Sequence, residues 1–140
     1  MPSIKELKET LAYSCNILAH EGHWDNILGH VSVRIPGQER ILMKPHSFGF
    51  EEIRPQHIIV VDLNGKKVEG KYERHSEVFI HTEIYKARSD VNCVVHSHPL
   101  MPRRLAHCAS PLDPLATKVM SFMVAYPCSI TQQRSSARPS

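Results

Sequence analysis

Residues 76–99 read SEVFIHTEIYKARSDVNCVVHSHP, and this stretch decides the fold. Its first half repeats apolar residues at helical spacing, which predicts a helix with Ser76 as its N-cap. Its second half is rich in β-branched residues, so a strand is predicted to resume at 92–95. That strand should stop before Pro99, because proline has no N–H to give to a sheet. A helix feeding a strand indicates an α/β domain.

The end of this stretch carries two histidines, His96 and His98, one residue apart. Side chains alternate along a strand, so both imidazoles point to one face and Ser97 to the other. Two histidines on one face suit a divalent ion such as zinc, although a catalytic zinc wants a third protein ligand. Glu77, in the first turn of the predicted helix, is either a functional carboxylate or a residue that merely suits the helix dipole. His81, one turn further, is interpreted as a satisfied or exposed histidine.

One helix and four short strands are predicted before this region. A capping box at Ser3 and Glu6 begins an amphipathic helix that ends at Gly22. Alternation and apolar runs then predict strands over 31–35, 40–44, 58–63 and 66–69. Asn64–Gly65 is a strong hairpin signal between the last two, so the middle of the chain is predicted to be antiparallel.

The composition argues against several classes of partner and location. The chain has 140 residues and a formal net charge of +3, with its basic residues mostly scattered, which argues against nucleic acid as a partner. The longest apolar run is too short to cross a bilayer, so no membrane partner is expected. The four cysteines form no CxxC pair, which favours reduced thiols and a cytoplasmic location.

Three stretches, taken together, resemble the class II aldolase/adducin family, which includes the fuculose-phosphate aldolases. They are Gly29–Arg34 (GHVSVR), 41–49 (ILMKPHSFG) and the opening stretch from Ser76 to Pro99. The resemblance implies a three-layer α/β/α domain around a mostly antiparallel central sheet. It also implies a homotetramer, or another homo-oligomer, with its site between neighbouring subunits.

The resemblance further implies a metal-dependent lyase. Glu77, His96 and His98 match family positions that hold Zn²⁺ or another divalent ion such as Mn²⁺ or Co²⁺. The implied reaction cleaves or forms a C–C bond of a hydroxy-carbonyl substrate through a metal-stabilised enediolate. Glu77 would be the catalytic residue that moves the proton.

The resemblance also implies a substrate pocket for a small molecule, either a sugar phosphate or a hydroxy acid. The matching positions are Gly29, His30, Ser47, Gly49, His75 and Ser76. His30 and His75 replace small hydrogen-bonding residues of many sugar-phosphate aldolases. A carboxylate substrate, as in the decarboxylase-like members, is therefore an open alternative.

The resemblance fades after Leu100. Residues 1–100 are predicted to form the family domain, and 101–140 a divergent, poorly ordered tail, although 119–126 are compatible with a strand. His107 does not match the family's distal metal histidine. We therefore interpret the chain as a C-terminally truncated or frame-shifted member, with that part of the fold incomplete and with weaker metal binding.

Two other interpretations stay open. One is an adducin-like assembly module with impaired catalysis, because the distal histidine is missing. The other is a metallo-isopeptidase of the JAMM type, in which Ser110 and Asp113 would follow the two histidines. That family does not explain the stretch from Gly29 to Arg34. Whether the isolated chain is an active enzyme is left open by the sequence.

Overall fold

A computed structural model describes residues 2–23 and 26–98, together with the backbone of 122–126. Helix α1 spans Ile4–His20 and helix α2 spans Val78–Ala87. Two short 3-10 turns cover Phe50–Glu52 and Pro55–His57. Strands β1 to β6 are His30–Arg34, Arg40–Met43, Ile59–Asp62, Lys67–Glu69, Cys93–Ser97 and Phe122–Tyr126. Neither described helix combines the length and the apolar run needed to span a bilayer.

The strands form one sheet in the order β4-β3-β2-β1-β5-β6. Every neighbouring pair is antiparallel, so the prediction of a mostly antiparallel sheet is confirmed. The Asn64–Gly65 turn joins β3 to β4 as predicted, and Gly65 has the positive φ of 80° that such a turn requires. Strand β1 also pairs with β5, which comes much later in the chain. This pairing brings the Gly29–Arg34 stretch next to the strand that carries His96.

One helix covers each face of the sheet. The apolar side of α1 packs with Val31, Leu42 and Val60 on one face. The other face packs Ile41 and Val94 against α2. Alternation along each strand explains this division, because successive side chains point to opposite faces. The result is the predicted three-layer α/β/α arrangement.

Helix α1 begins as its sequence predicts. Ser3 accepts a hydrogen bond from the Glu6 N–H, and the Glu6 carboxylate accepts one from the Ser3 N–H, which completes the capping box. Helix α2 differs from prediction by one residue: its N-cap is Glu77, without a side-chain capping bond, and not Ser76. The His75 ring lies 4.3 Å from the His30 ring, and its Nδ1 accepts a hydrogen bond from the Glu77 N–H, so tertiary packing sets the cap position.

Strand β5 continues to Ser97, two residues beyond the predicted 92–95. The possible strand at 119–126 is present as Phe122–Tyr126 and pairs with β5. The rest of the predicted tail lies outside the described residues, and so do His107, Ser110 and Asp113.

Candidate active site

The site begins where strands β1 and β5 lie side by side. His30 in β1 is directly opposite His96 in β5, and opposite residues of an antiparallel pair share one face. Their rings stack with centroids 4.4 Å apart and planes 13° from parallel. Both residues are buried. The strand register therefore joins a histidine early in the chain to the HxH pair, His96 and His98.

The HxH pair converges as the sequence predicts. The Nε2 atoms of His96 and His98 are 2.8 Å apart. Ser97 points to the other face, where its hydroxyl lies 3.1 Å from Nδ1 of His23. The Nδ1 atom of His96 is buried and has no hydrogen-bond partner among the described residues. Two nitrogens that meet in this way either share one hydrogen atom or face one cation.

Glu77 brings a carboxylate to the same region from the start of α2. Its side chain is 50% exposed, and its Oε2 lies 3.0 Å from Nε2 of His30. The same oxygen is 4.0 Å from Nδ1 of His75. The Glu77 N–H donates to that Nδ1 at 3.3 Å. Ligand atoms of His30, His75 and Glu77 all lie within 4.8 Å of one another.

The donors fit a divalent ion. Imidazole nitrogens and a carboxylate are ligands that zinc accepts, and the histidines must be neutral to offer lone pairs. The predicted ligands are Glu77, His96 and His98, whereas the group that lies close enough to hold one ion among the described residues is Glu77 with His30 and His75. The side chains therefore offer more nitrogen donors than the motif alone suggested.

Burial keeps these histidines neutral. Burial, followed by the neighbouring histidines, lowers the pKa of His30 to about 2. Burial and the Lys44 ammonium lower the pKa of His75 to about 4. Burial, followed by the neighbouring His98, also lowers the pKa of His96. A cluster of imidazoles with available lone pairs follows from this low-dielectric setting.

Lys44 is a buried charged residue near the site that the sequence patterns did not single out. Its side chain is fully buried, and burial lowers its pKa to about 8. The ammonium donates to the carbonyl oxygens of Ile27 and Pro45, both at 3.3 Å. A lysine at the end of the apolar run ILM was the available signal, because a charged residue is almost never buried without partners.

The predicted substrate loop is partly used by the fold itself. A Cβ on Gly29 would lie 2.6 Å from the Phe50 ring, so Gly29 allows close packing there. The Gly49 N–H already donates to Glu52 Oε2 at 2.7 Å. Ser47 is exposed with a φ of 71°, and its hydroxyl contacts His46.

The loop nevertheless lies beside the rest of the site. The His46 N–H donates to the Glu73 carbonyl at 2.9 Å, and the rings of His46 and His75 are 5.3 Å apart. Ser76 is exposed between His75 and Glu77. The loop therefore approaches the site through the His46 and His75 rings, and His75 lies beside the half-exposed carboxylate of Glu77.

Comparison with known proteins gives a consistent family. Residues 9–138 match the family described as Class II Aldolase and Adducin N-terminal domain. The chain is 39% identical over 107 residues to the 3,4-dihydroxyphthalate decarboxylase of Arthrobacter keyseri, covering 71% of this chain and 42% of that protein. It is 32% identical over 105 residues to the L-fuculose phosphate aldolase of Escherichia coli K12, covering 75% and 45%.

A solved structure shows the same fold. The L-fuculose 1-phosphate aldolase from Glaciozyma antarctica superposes with a TM-score of 0.69 at 26% identity, covering 80% of this chain and 49% of that one. The chain thus spans about half the length, or less, of these relatives. The match favours the aldolase-type interpretation over an isopeptidase, which would need Ser110 and Asp113.

Proposed function

Because this chain belongs to the class II aldolase and adducin N-terminal domain family, we propose that it acts as a divalent-metal-dependent lyase on a small hydroxy-carbonyl substrate. The observation that carries the proposal is the meeting of the two HxH nitrogens, 2.8 Å apart, with a stacked His30 that contacts Glu77. Relatives of this chain include aldolases and a decarboxylase.

The proposed metal ligands are Glu77, His96 and His98, as the family resemblance implies, and the ion is zinc or another divalent cation. A bound cation supplies Lewis-acid stabilisation of negative charge that develops on a carbonyl oxygen when the adjacent bond breaks. His30 and His75 then flank Glu77 and line the substrate side of the site. Each neutral ring can donate one hydrogen bond and accept one.

Glu77 is the proposed proton carrier. The Glu77 side chain is half exposed, so a substrate can reach it. Its contacts with the protein fix the orientation of the carboxylate. His30 Nε2 lies 3.0 Å from one carboxylate oxygen, which orients the group. A positioned carboxylate contributes a factor of about 10²–10⁴ to proton transfer.

A matched pair of variants tests this role. Glu77→Gln should reduce exchange of the substrate C–H proton with deuterated water by at least about 100-fold. Glu83→Gln removes an exposed carboxylate of the same helix, which bonds Lys86 at 2.9 Å, and should leave exchange unchanged. Equal exchange rates in wild type and Glu77→Gln would contradict the proposed role of Glu77.

A decarboxylase of a hydroxy acid is a second candidate, and particular contacts favour it. His30 and His75 are buried at positions that face Glu77. The Gly49 N–H is already bonded to Glu52, so it does not bind a phosphate without rearrangement. The relative that is 39% identical is named 3,4-dihydroxyphthalate decarboxylase.

The two candidates separate in one screen. Dihydroxylated aromatic acids should release carbon dioxide if the substrate anion is a carboxylate, whereas ketose 1-phosphates should release an aldehyde if it is a phosphate. An oligomeric, metal-free chain that is inactive with both classes would favour the adducin-like assembly module instead. We propose a homo-oligomer, as in the family, with no nucleic-acid or membrane partner and a cytoplasmic location.

A further inference from the structure

A continuous chain of hydrogen bonds runs from Glu77 into the core. His30 Nε2 lies 3.0 Å from Glu77 Oε2, and His30 Nδ1 lies 2.5 Å from Nε2 of His81. His81 Nδ1 is 2.6 Å from Ser32 Oγ, which is 2.9 Å from the Tyr85 hydroxyl. The four inner residues are all buried. Hydrogen bonds therefore connect the half-exposed carboxylate of Glu77 to the buried hydroxyl of Tyr85.

Secondary structure explains why these groups meet. His30 and Ser32 are two residues apart on β1 and share one face of the sheet. His81 and Tyr85 are four apart on α2 and share one side of the helix. Arg34 also contacts Tyr85. Its guanidinium lies 4.8 Å from the Tyr85 ring centroid and donates to the Tyr85 carbonyl oxygen at 2.8 Å.

The ionised carboxylate sets the direction of the bonds from His30 to Ser32. A carboxylate only accepts, so His30 donates from Nε2–H. The His30 ring is fully buried, and its Nδ1 faces Nε2 of His81. A neutral ring that donates from Nε2 accepts at Nδ1, so His81 donates to His30 from its Nε2–H. The buried His81 ring, which donates from Nε2, accepts at Nδ1 from the Ser32 hydroxyl, 2.6 Å away. The Tyr85 hydroxyl has two acceptors within reach, Ser32 Oγ at 2.9 Å and the Ser32 carbonyl oxygen at 3.0 Å, and it completes the series when it donates to Ser32 Oγ.

We propose that Ser32 and His81 are positioning residues, which fix the proton of His30 on Nε2 so that His30 donates to the Glu77 carboxylate, and that Tyr85 lets this chain of hydrogen bonds reverse its direction. They do not touch the substrate, and they act through His30. The inference rests on the proposed function only for its consequence in catalysis. The hydrogen-bond chain itself is a property of the fold.

A second acceptor lets the chain reverse. The Tyr85 hydroxyl also lies 3.0 Å from the Ser32 carbonyl oxygen. When Tyr85 donates there, each inner bond can point the other way, and His30 offers an Nε2 lone pair to protonated Glu77. The inner four residues hold the same number of protons in both directions, and the added proton belongs to Glu77. The chain therefore supports both states of a proton carrier.

Histidine tautomers give the direct test. Two-dimensional ¹H–¹⁵N multiple-bond spectra of the full, metal-free chain near neutral pH should show His30 and His81 both protonated on Nε2. Ser32→Ala removes the donor to His81 and should give mixed tautomers at both rings. Ser32→Thr restores the hydroxyl and should restore the single tautomer, which separates this effect from a general packing defect.

Tyr85→Phe tests the reversal. It removes the group that can turn, so the resting tautomers should stay as in wild type while kcat falls at least about tenfold with KM retained. Tyr13→Phe removes an exposed hydroxyl and serves as the control, with no change expected in tautomer or kcat.

Two tautomer results would overturn the inference: a proton on Nδ1 of His30 in the wild-type chain, or unchanged tautomers in Ser32→Ala. Unchanged kcat in Tyr85→Phe would remove the reversal. A wild-type chain without lyase activity would count against the proposed function alone, because the tautomer spectra need no substrate and still decide whether these residues position His30.

Discussion

Acid should destabilise the metal-free fold steeply because three neutral histidines are enclosed in it. His30, His75 and His81 have exposed fractions of 0%, 3% and 0%, and burial lowers the pKa of each below the usual 6.5. The unfolded chain therefore binds more protons than the folded chain below that pH. The free energy of unfolding must fall as the pH falls, and it is insensitive to these groups above about pH 7.

The magnitude follows from the number of protons. Each such histidine lowers the free energy of unfolding by about 1.4 kcal/mol for each pH unit below its unfolded pKa. At about pH 5.5 the three together remove about 4 kcal/mol, a large part of the roughly 5–15 kcal/mol of a typical domain. The pKa of His75, lowered to about 4, means that its contribution keeps growing down to that pH.

Urea unfolding in the presence of a chelator measures this loss. Midpoints and slopes taken at about pH 7.5 and about pH 5.5 should show the fall in free energy with an unchanged slope. His20→Gln replaces a histidine whose side chain is 87% exposed and should leave the difference as in wild type. A fall of less than about 1 kcal/mol over this interval would refute the neutral, enclosed state of these rings.

Two further substitutions test the surroundings of the site. Lys44→Met removes the charge that lowers the pKa of His75, so an NMR titration should find that pKa nearer its usual value; Lys86→Met, at an exposed position, should not move it. Gly29→Ala places a Cβ 2.6 Å from the Phe50 ring and should cost about 1–3 kcal/mol in urea unfolding. Phe50→Leu should relieve part of that penalty, and full stability of Gly29→Ala alone would contradict the close packing.

Local signals predicted most of the architecture. The capping box at Ser3, the hairpin at Asn64–Gly65 and the alternation from Val31 onward are properties of neighbouring residues, so the sequence displays them directly. The shared face of His96 and His98 follows from the same alternation. The three-layer arrangement came from the family resemblance, and the packing of α1 and α2 on opposite faces agrees with it.

The polar contacts inside the site could not be predicted without knowing how the strands pair in the folded chain. The pairing of His30 with His96 depends on how β1 meets β5, which no local pattern states. The same holds for the contact of His81 with Ser32: the sequence reasoning interpreted His81 as satisfied or exposed, and it is buried with partners on both ring nitrogens. Two weak signals were present, His30 and Ser32 on one strand face, and His81 and Tyr85 on one helix face.

Zinc content per chain tests the central claim most directly. Elemental mass spectrometry of the zinc-loaded, dialysed protein should find close to one ion per wild-type chain and none in the double variant His96→Ala/His98→Ala. His75→Ala should retain the ion, because His75 belongs to the flanking group and not to the proposed ligand set. Full zinc occupancy without His96 and His98, or none in the wild-type chain, would contradict a metal-dependent lyase centred on Glu77 and the HxH pair.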